Sequence, residues 1–87
     1  MTRIRDLFNL GPVMEGRLAE IGVTTAEQLV QLGVVEAYQR LKAAFGAAVT
    51  LNALYLMDAA IQGLDTTDLS EERKRELRAA AQEVSPN

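Results

Sequence analysis

Residues 51–62 constrain the fold of this chain more than any other stretch. Leu51, Ala53, Leu54, Tyr55, Leu56, Met57, Ala59, Ala60 and Ile61 would surround a helix here, leaving only Asn52, Asp58 and Gln62 polar. Thr50 stands before it as a cap and Gly63 follows. A helix apolar on nearly all sides is buried on nearly all sides. At about a dozen residues it is too short for a bilayer, which needs roughly 18 or more uninterrupted apolar residues. It is therefore the hub of a small domain, or a hub that also forms part of an oligomer interface, since large exposed apolar patches mark contacts. A chain of 87 residues has room for one such domain.

The rest of the chain supplies the layers around that hub. There is no sustained alternation of β-branched and polar residues, so strands are not expected. A first short helix is predicted over about residues 2–8, stopped by Asn9-Leu10-Gly11. Pro12 then suits the first turn of a second helix, because its missing N–H costs nothing there. That helix presents Met14, Leu18 and Ile21 on one face, and Gly22 suits a left-handed residue at its end. Thr25 with Gln28 three residues on reads as a capping box for a third helix, closed by Gly33. A fourth runs from about Val34 to Phe45 with Val34, Tyr38, Leu41 and Phe45 facing inward, Glu36 and Arg40 paired on the opposite face, and Gly46 at its end. Beyond a loop at residues 63–69, Ser70 caps a last helix from Glu71 to about Val84, docked by Leu77, Ala80, Ala81 and Val84. The fold class is all-α, a compact bundle of five or six short helices.

Composition removes whole classes of chemistry. The chain has no histidine, cysteine or tryptophan, and its only serines are Ser70 and Ser85. Disulfide frameworks, Cys/His zinc sites, thiol nucleophiles and the Ser-His-Asp triad are all excluded. No catalytic residue, metal site or cofactor is expected, and the chain reads as a non-enzyme. Asp65 and Asp68 lack the spaced ligand series of a calcium loop. With no signal-peptide core and no membrane span, a cytoplasmic protein is the default expectation.

The informative constellation is residues 4–33. A short helix, a turn ending in Gly11-Pro12, a second helix, then Gly22-Val23-Thr24-Thr25 and another capped helix look like a helix-hairpin-helix unit. In that motif backbone N–H groups of the hairpin and of the following helix start converge on one point, where a phosphate can sit. Arg5 and Arg17 could add positive charge to such a site, together with Arg3, while Glu15 opposes it.

The stretches Leu10-Gly11-Pro12, Leu18 to Leu29 and Leu32 to Lys42, followed by Val49 to Gly63, resemble the C-terminal domain of the bacterial competence regulators TfoX and Sxy. The similarity covers about residues 7–80, and Gly33-Val34-Val35-Glu36-Ala37-Tyr38 followed by Leu51-Asn52-Ala53-Leu54-Tyr55 is its most distinctive part. The resemblance implies a helix-hairpin-helix or SAM-like fold. It also implies a role in switching on DNA-uptake genes alongside a cyclic-AMP-responsive activator, hence a protein partner in the transcription machinery. Larger members carry an N-terminal α/β domain that these residues do not include. The hairpin in the family often has a basic residue after Gly-Pro; here Val13 stands there, which removes the cation most useful to a phosphate.

The expected site is therefore the hairpin surface, Asn9, Leu10, Gly11, Pro12 and Val13, with Arg5 and Arg17, contacting a protein partner. The alternatives are weak, sequence-independent contact with the DNA backbone, and a purely structural homodimerisation module. A net charge of −3 weighs against the DNA reading, because such affinity comes largely from neutralising phosphates. Arg73, Lys74 and Arg75 interleave with Glu71, Glu72 and Glu76 and read as a solvent-facing, self-neutralised strip with a Glu71–Arg75 pair. Asp58 and Gln62, one turn apart, read as an exposed strip or a cap for nearby backbone, with a polar contact across a dimer interface as the alternative.

Overall fold

In the computed structural model, which describes residues 2–7 and 10–83, residues 51–62 form a central helix. In chain order the α-helices are α1 (Pro12–Glu20), α2 (Ala26–Leu32), α3 (Val34–Phe45), α4 (Leu51–Gln62) and α5 (Glu71–Glu83). Three single turns of 3-10 helix, Ile4–Asp6, Gly46–Ala48 and Thr66–Asp68, lie between or before them. The described residues contain no named strand, so the fold is all-α.

Leu54 and Met57 of α4 are fully buried and pack in one core with Ile4, Leu18, Leu29, Leu41, Val49 and Leu77. Removing such a side chain from water is worth about 1.5–3 kcal/mol. α4 packs against α3, α5 and the Thr66–Asp68 turn and carries six buried residues, while α3 touches more elements, α1, α2, α4, α5 and the Gly46–Ala48 turn, so the two helices share the hub. Its apolar surface is almost used up inside the domain; among its large apolar residues only Leu51, 39% exposed, stands out. No helix among the described residues is long and apolar enough to cross a membrane.

Gly33 joins α2 to α3 with a single residue. Its φ of 94° and ψ of 141° lie in a region that side chains with a Cβ rarely enter. The Gly33 N–H donates to the Leu29 carbonyl at 2.8 Å, ending α2, and its own carbonyl accepts from Ala37 N–H at 3.0 Å, starting α3.

Three local expectations are corrected. The helix predicted over residues 2–8 is only the Ile4–Asp6 turn. The backbone before it is extended instead: Arg3 forms an isolated antiparallel bridge with Thr25, and the Thr2 carbonyl accepts from Ala26 N–H at 2.7 Å. The start of α2 has four N–H groups without helical acceptors, and the N-terminal segment supplies one. The Thr25 capping box forms by half. Thr25 Oγ1 accepts from Gln28 N–H at 3.1 Å, but Gln28 Oε1 reaches one residue further back, to the Thr24 N–H at 2.7 Å and hydroxyl at 3.0 Å. Within the loop at residues 63–69 a capped 3-10 turn forms, in which Asp65 accepts from Thr67 N–H and Asp68 accepts from Asp65 N–H. These two carboxylates therefore serve the backbone. Val84, expected in the last helix stripe, lies outside the described residues.

Candidate functional site

The surface expected of the hairpin lies where the Ile4–Asp6 turn, in place of a full first helix, meets α1. Gly11 is the N-cap of α1 in extended conformation, no side chain caps that helix, and Pro12 occupies its first turn. Val13 follows with 68% of its surface exposed, the highest among the described large apolar residues, with Val30 of α2 next at 60%. Leu10 differs from the expectation: it is 4% exposed and belongs to the core, so it fixes the hairpin from below and offers no contact surface. Asn9 lies outside the described residues.

The two arginines assigned to this surface do not converge. Arg5 donates from Nε to both Glu15 carboxylate oxygens, at 3.2 and 3.1 Å, and its Nη2 stands 3.1 Å from Oε1. The pair holds the Glu15 carboxyl below its ordinary value and raises the already high value of the Arg5 guanidinium. Arg17 is two residues beyond Glu15 and so about 200° around the helix. Its guanidinium lies over the Phe45 ring, 5.7 Å from the centroid, and Nη1 donates to the Ala48 carbonyl at 3.4 Å. The start of α1 thus carries an ion pair on one side and a bare valine, with Arg17 turned toward the α3–α4 connection.

A polar network that sequence reasoning placed on the surface lies inside. Asp58 is 1% exposed. Arg73 of α5 donates to it in a fork, Nη2 to Oδ1 at 2.8 Å and Nε to Oδ2 at 3.0 Å, and Gln62 Nε2 donates to Oδ2 at 2.7 Å. Asp58 is therefore neither an exposed strip nor a backbone cap. Arg73 also meets Glu76, and Lys74 rather than Arg75 pairs with Glu71, at 3.7 Å. The α5 charges are thus only partly self-neutralised, since Arg73 is used to bind α4. Among the described residues no buried side-chain nitrogen or oxygen lacks a partner.

A second concave surface went unnoticed in the sequence. Tyr38, Gln39, Lys42 and Ala43 of α3 and Arg78, Ala81 and Gln82 of α5 line a groove of about 640 Å³, together with Leu51 of α4. Lys42 Nζ donates to the Val49 carbonyl at 2.7 Å, and Gln39 Nε2 donates to the Ala81 carbonyl. Arg78 Nη1 donates to the Tyr55 hydroxyl at 2.9 Å, and Lys74 Nζ lies over the Tyr55 ring, 5.6 Å from its centroid. The signal was present as Tyr38 with Lys42 and Arg78 with Gln82, each pair four apart, but only the tertiary packing sets the two rows face to face. Among the described residues, no group of three or more Asp and Glu side chains is placed to hold a metal ion.

Residues 1–81 match the family described as the TfoX C-terminal domain, nearly the whole chain. The chain belongs to that family. It is also similar to two crystal structures of Listeria monocytogenes proteins without an assigned function. One, an uncharacterized protein in a triclinic crystal form, is 30% identical with a TM-score of 0.85, over 95% of this chain and 93% of that one. The other, a protein of unknown function in a tetragonal form, is 30% identical with a TM-score of 0.81, over 94% and 99% of the two chains. No curated protein matches.

Proposed function

We propose that this domain is a non-enzymatic regulatory module of the competence-regulator kind, acting on the transcription of DNA-uptake genes through a protein partner contacted at the hairpin. Gly11, Pro12 and Val13 form the contact, flanked by Arg5 and Arg17. The observation that carries this choice over DNA-backbone binding is the Arg5–Glu15 pair beside exposed Val13. A phosphate at the start of α1 would meet the Glu15 carboxylate in the first turn, and the nearest cation is already committed to that carboxylate. Gly11, Pro12 and Val13, consecutive and all exposed, instead offer an uncharged, partly apolar face to a protein.

The test is genetic. Deleting the gene in its host should lower transcripts of DNA-uptake genes. The wild-type chain should restore them and Val13→Asp should not, although an acid in the first turn of a helix is well tolerated by the fold. Unchanged transcripts after deletion would overturn the regulatory reading. Full rescue by Val13→Asp would remove the hairpin from it.

A further inference from the structure

We propose that the groove between α3 and the C-terminal half of α5 is a second docking surface, and that its occupant is an acidic amphipathic helix of a partner protein. The proposal shares with the proposed function the premise that the domain works through protein contact, and it assigns a surface separate from the hairpin. Charge complementarity carries it. The chain is net acidic at −3, yet the described residues lining this groove include two cations, Lys42 and Arg78, and no carboxylate. On the same two helices Arg40 is paired with Glu36, Arg73 with Asp58 and Glu76, and Lys74 with Glu71, while Arg75, the remaining cation, does not line the groove. Lys42 and Arg78 instead donate to neutral acceptors, the Val49 carbonyl and the Tyr55 hydroxyl. Those bonds fix the positions of the charges, and among the described residues neither meets a carboxylate in an ion pair.

The space between the cations is apolar. Tyr38, Ala43, Ala81 and partly exposed Leu51 line it. Two helices with apolar side chains lining the groove between them accept a third helix whose apolar residues recur every three to four positions. Carboxylates on the flanks of that third helix would meet Lys42 on one wall and Arg78 on the other. A nucleic acid fits less well, since its affinity grows with the number of phosphates neutralised and this surface offers few cations around an apolar centre.

The probe is a fluorescein-labelled synthetic amphipathic helix of about 16 residues, with leucine along one face and glutamate on both flanks, and a twin in which every glutamate is lysine. Fluorescence anisotropy with the full chain should show saturable binding of the glutamate peptide and none of its twin. Lys42→Glu/Arg78→Glu should weaken the glutamate peptide by about tenfold or more and admit the lysine twin. Should that double variant not melt cooperatively, Lys42→Gln/Arg78→Gln gives the same comparison for the glutamate peptide. Equal binding of both peptides, glutamate-peptide binding indifferent to the substitutions, or displacement of that peptide by a DNA duplex at physiological salt would overturn the groove assignment. So would absence of binding by either peptide. Val13→Asp should leave peptide binding unchanged, so this result and the genetic test fail independently.

Discussion

Arg73 on α5 closes a two-armed hydrogen bond onto the buried Asp58 carboxylate of α4, at 2.8 and 3.0 Å. The two ends of this pair are unequal: the Asp58 side chain is 1% exposed and that of Arg73 43%. Arg73→Ala strands a buried charge, which in a fully buried pair costs about 3–5 kcal/mol. With solvent reaching the arginine and Gln62 still donating, about 2–3 kcal/mol is expected. Asp58→Ala lets Arg73 turn to water and costs less, about 1–2 kcal/mol. Urea unfolding of both variants measures the order, and an equal or reversed order contradicts the pair as described.

Two leucines on α4 separate the hub from its rim. Leu54 is fully buried and Leu51 is 39% exposed. Leu54→Ala should cost about 2–5 kcal/mol, as large-to-small core substitutions do, and Leu54→Asp should unfold the domain. Leu51→Ala should fall within about 0.5–1 kcal/mol of the parent. A soluble, cooperatively melting Leu54→Asp would contradict α4 as hub.

Glycine offers a paired test in opposite directions. Gly33 holds a φ of 94°, and a Cβ there meets nothing within 4 Å, so the penalty for Gly33→Ala is conformational, about 1–3 kcal/mol. Gly16 lies inside α1 with equally open space. Gly16→Ala should therefore stabilise, by about 0.5–1 kcal/mol. Thermal melts of the two variants should move apart.

Acid sensitivity should trace to Glu15 and Glu27. The Arg5 side chain lowers the Glu15 carboxyl and the Thr2 N–H, bonded at 3.0 Å, lowers that of Glu27, both from an ordinary value of 4.5. A carboxyl lowered in the folded state contributes stability that is complete above its unfolded value and is lost as pH falls through the folded one. Melting temperature should therefore drop below about pH 4.5, and the drop should be shallower in Glu15→Gln/Glu27→Gln. Parallel curves for parent and variant would remove these two groups as the cause.

Much of the fold was legible because punctuation and periodicity act locally. Pro12, Thr25, Gly33, Gly46 and Ser70 each mark a helix boundary through their own backbone preferences, and the burial of α4 followed from its apolar residues on nearly all sides, whereas the central place of α3 did not. The hidden parts depend on partners distant in sequence. Ile4 and its neighbours have helical spacing, but the backbone of Thr2 and Arg3 pairs with Thr25 and Ala26, which leaves one 3-10 turn. Asp58 looks like a polar strip until Arg73, 15 residues on, is folded over it. Within the candidate hairpin, local sequence shows the Gly11-Pro12 turn but not the burial of Leu10 or the divergence of Arg5 and Arg17. Those follow from where Glu15, Phe45 and Ala48 come to rest.

The central claim is that the hairpin serves a protein contact and does not bind phosphate. Its most direct test is fluorescence anisotropy of a labelled generic DNA duplex titrated with the chain at about 50 mM and about 150 mM salt, conditions that expose counterion release. The account predicts a flat trace at both. Saturable binding at the lower salt that collapses at the higher one and disappears in Arg5→Glu/Arg17→Glu would contradict it and make the start of α1 a DNA-backbone site.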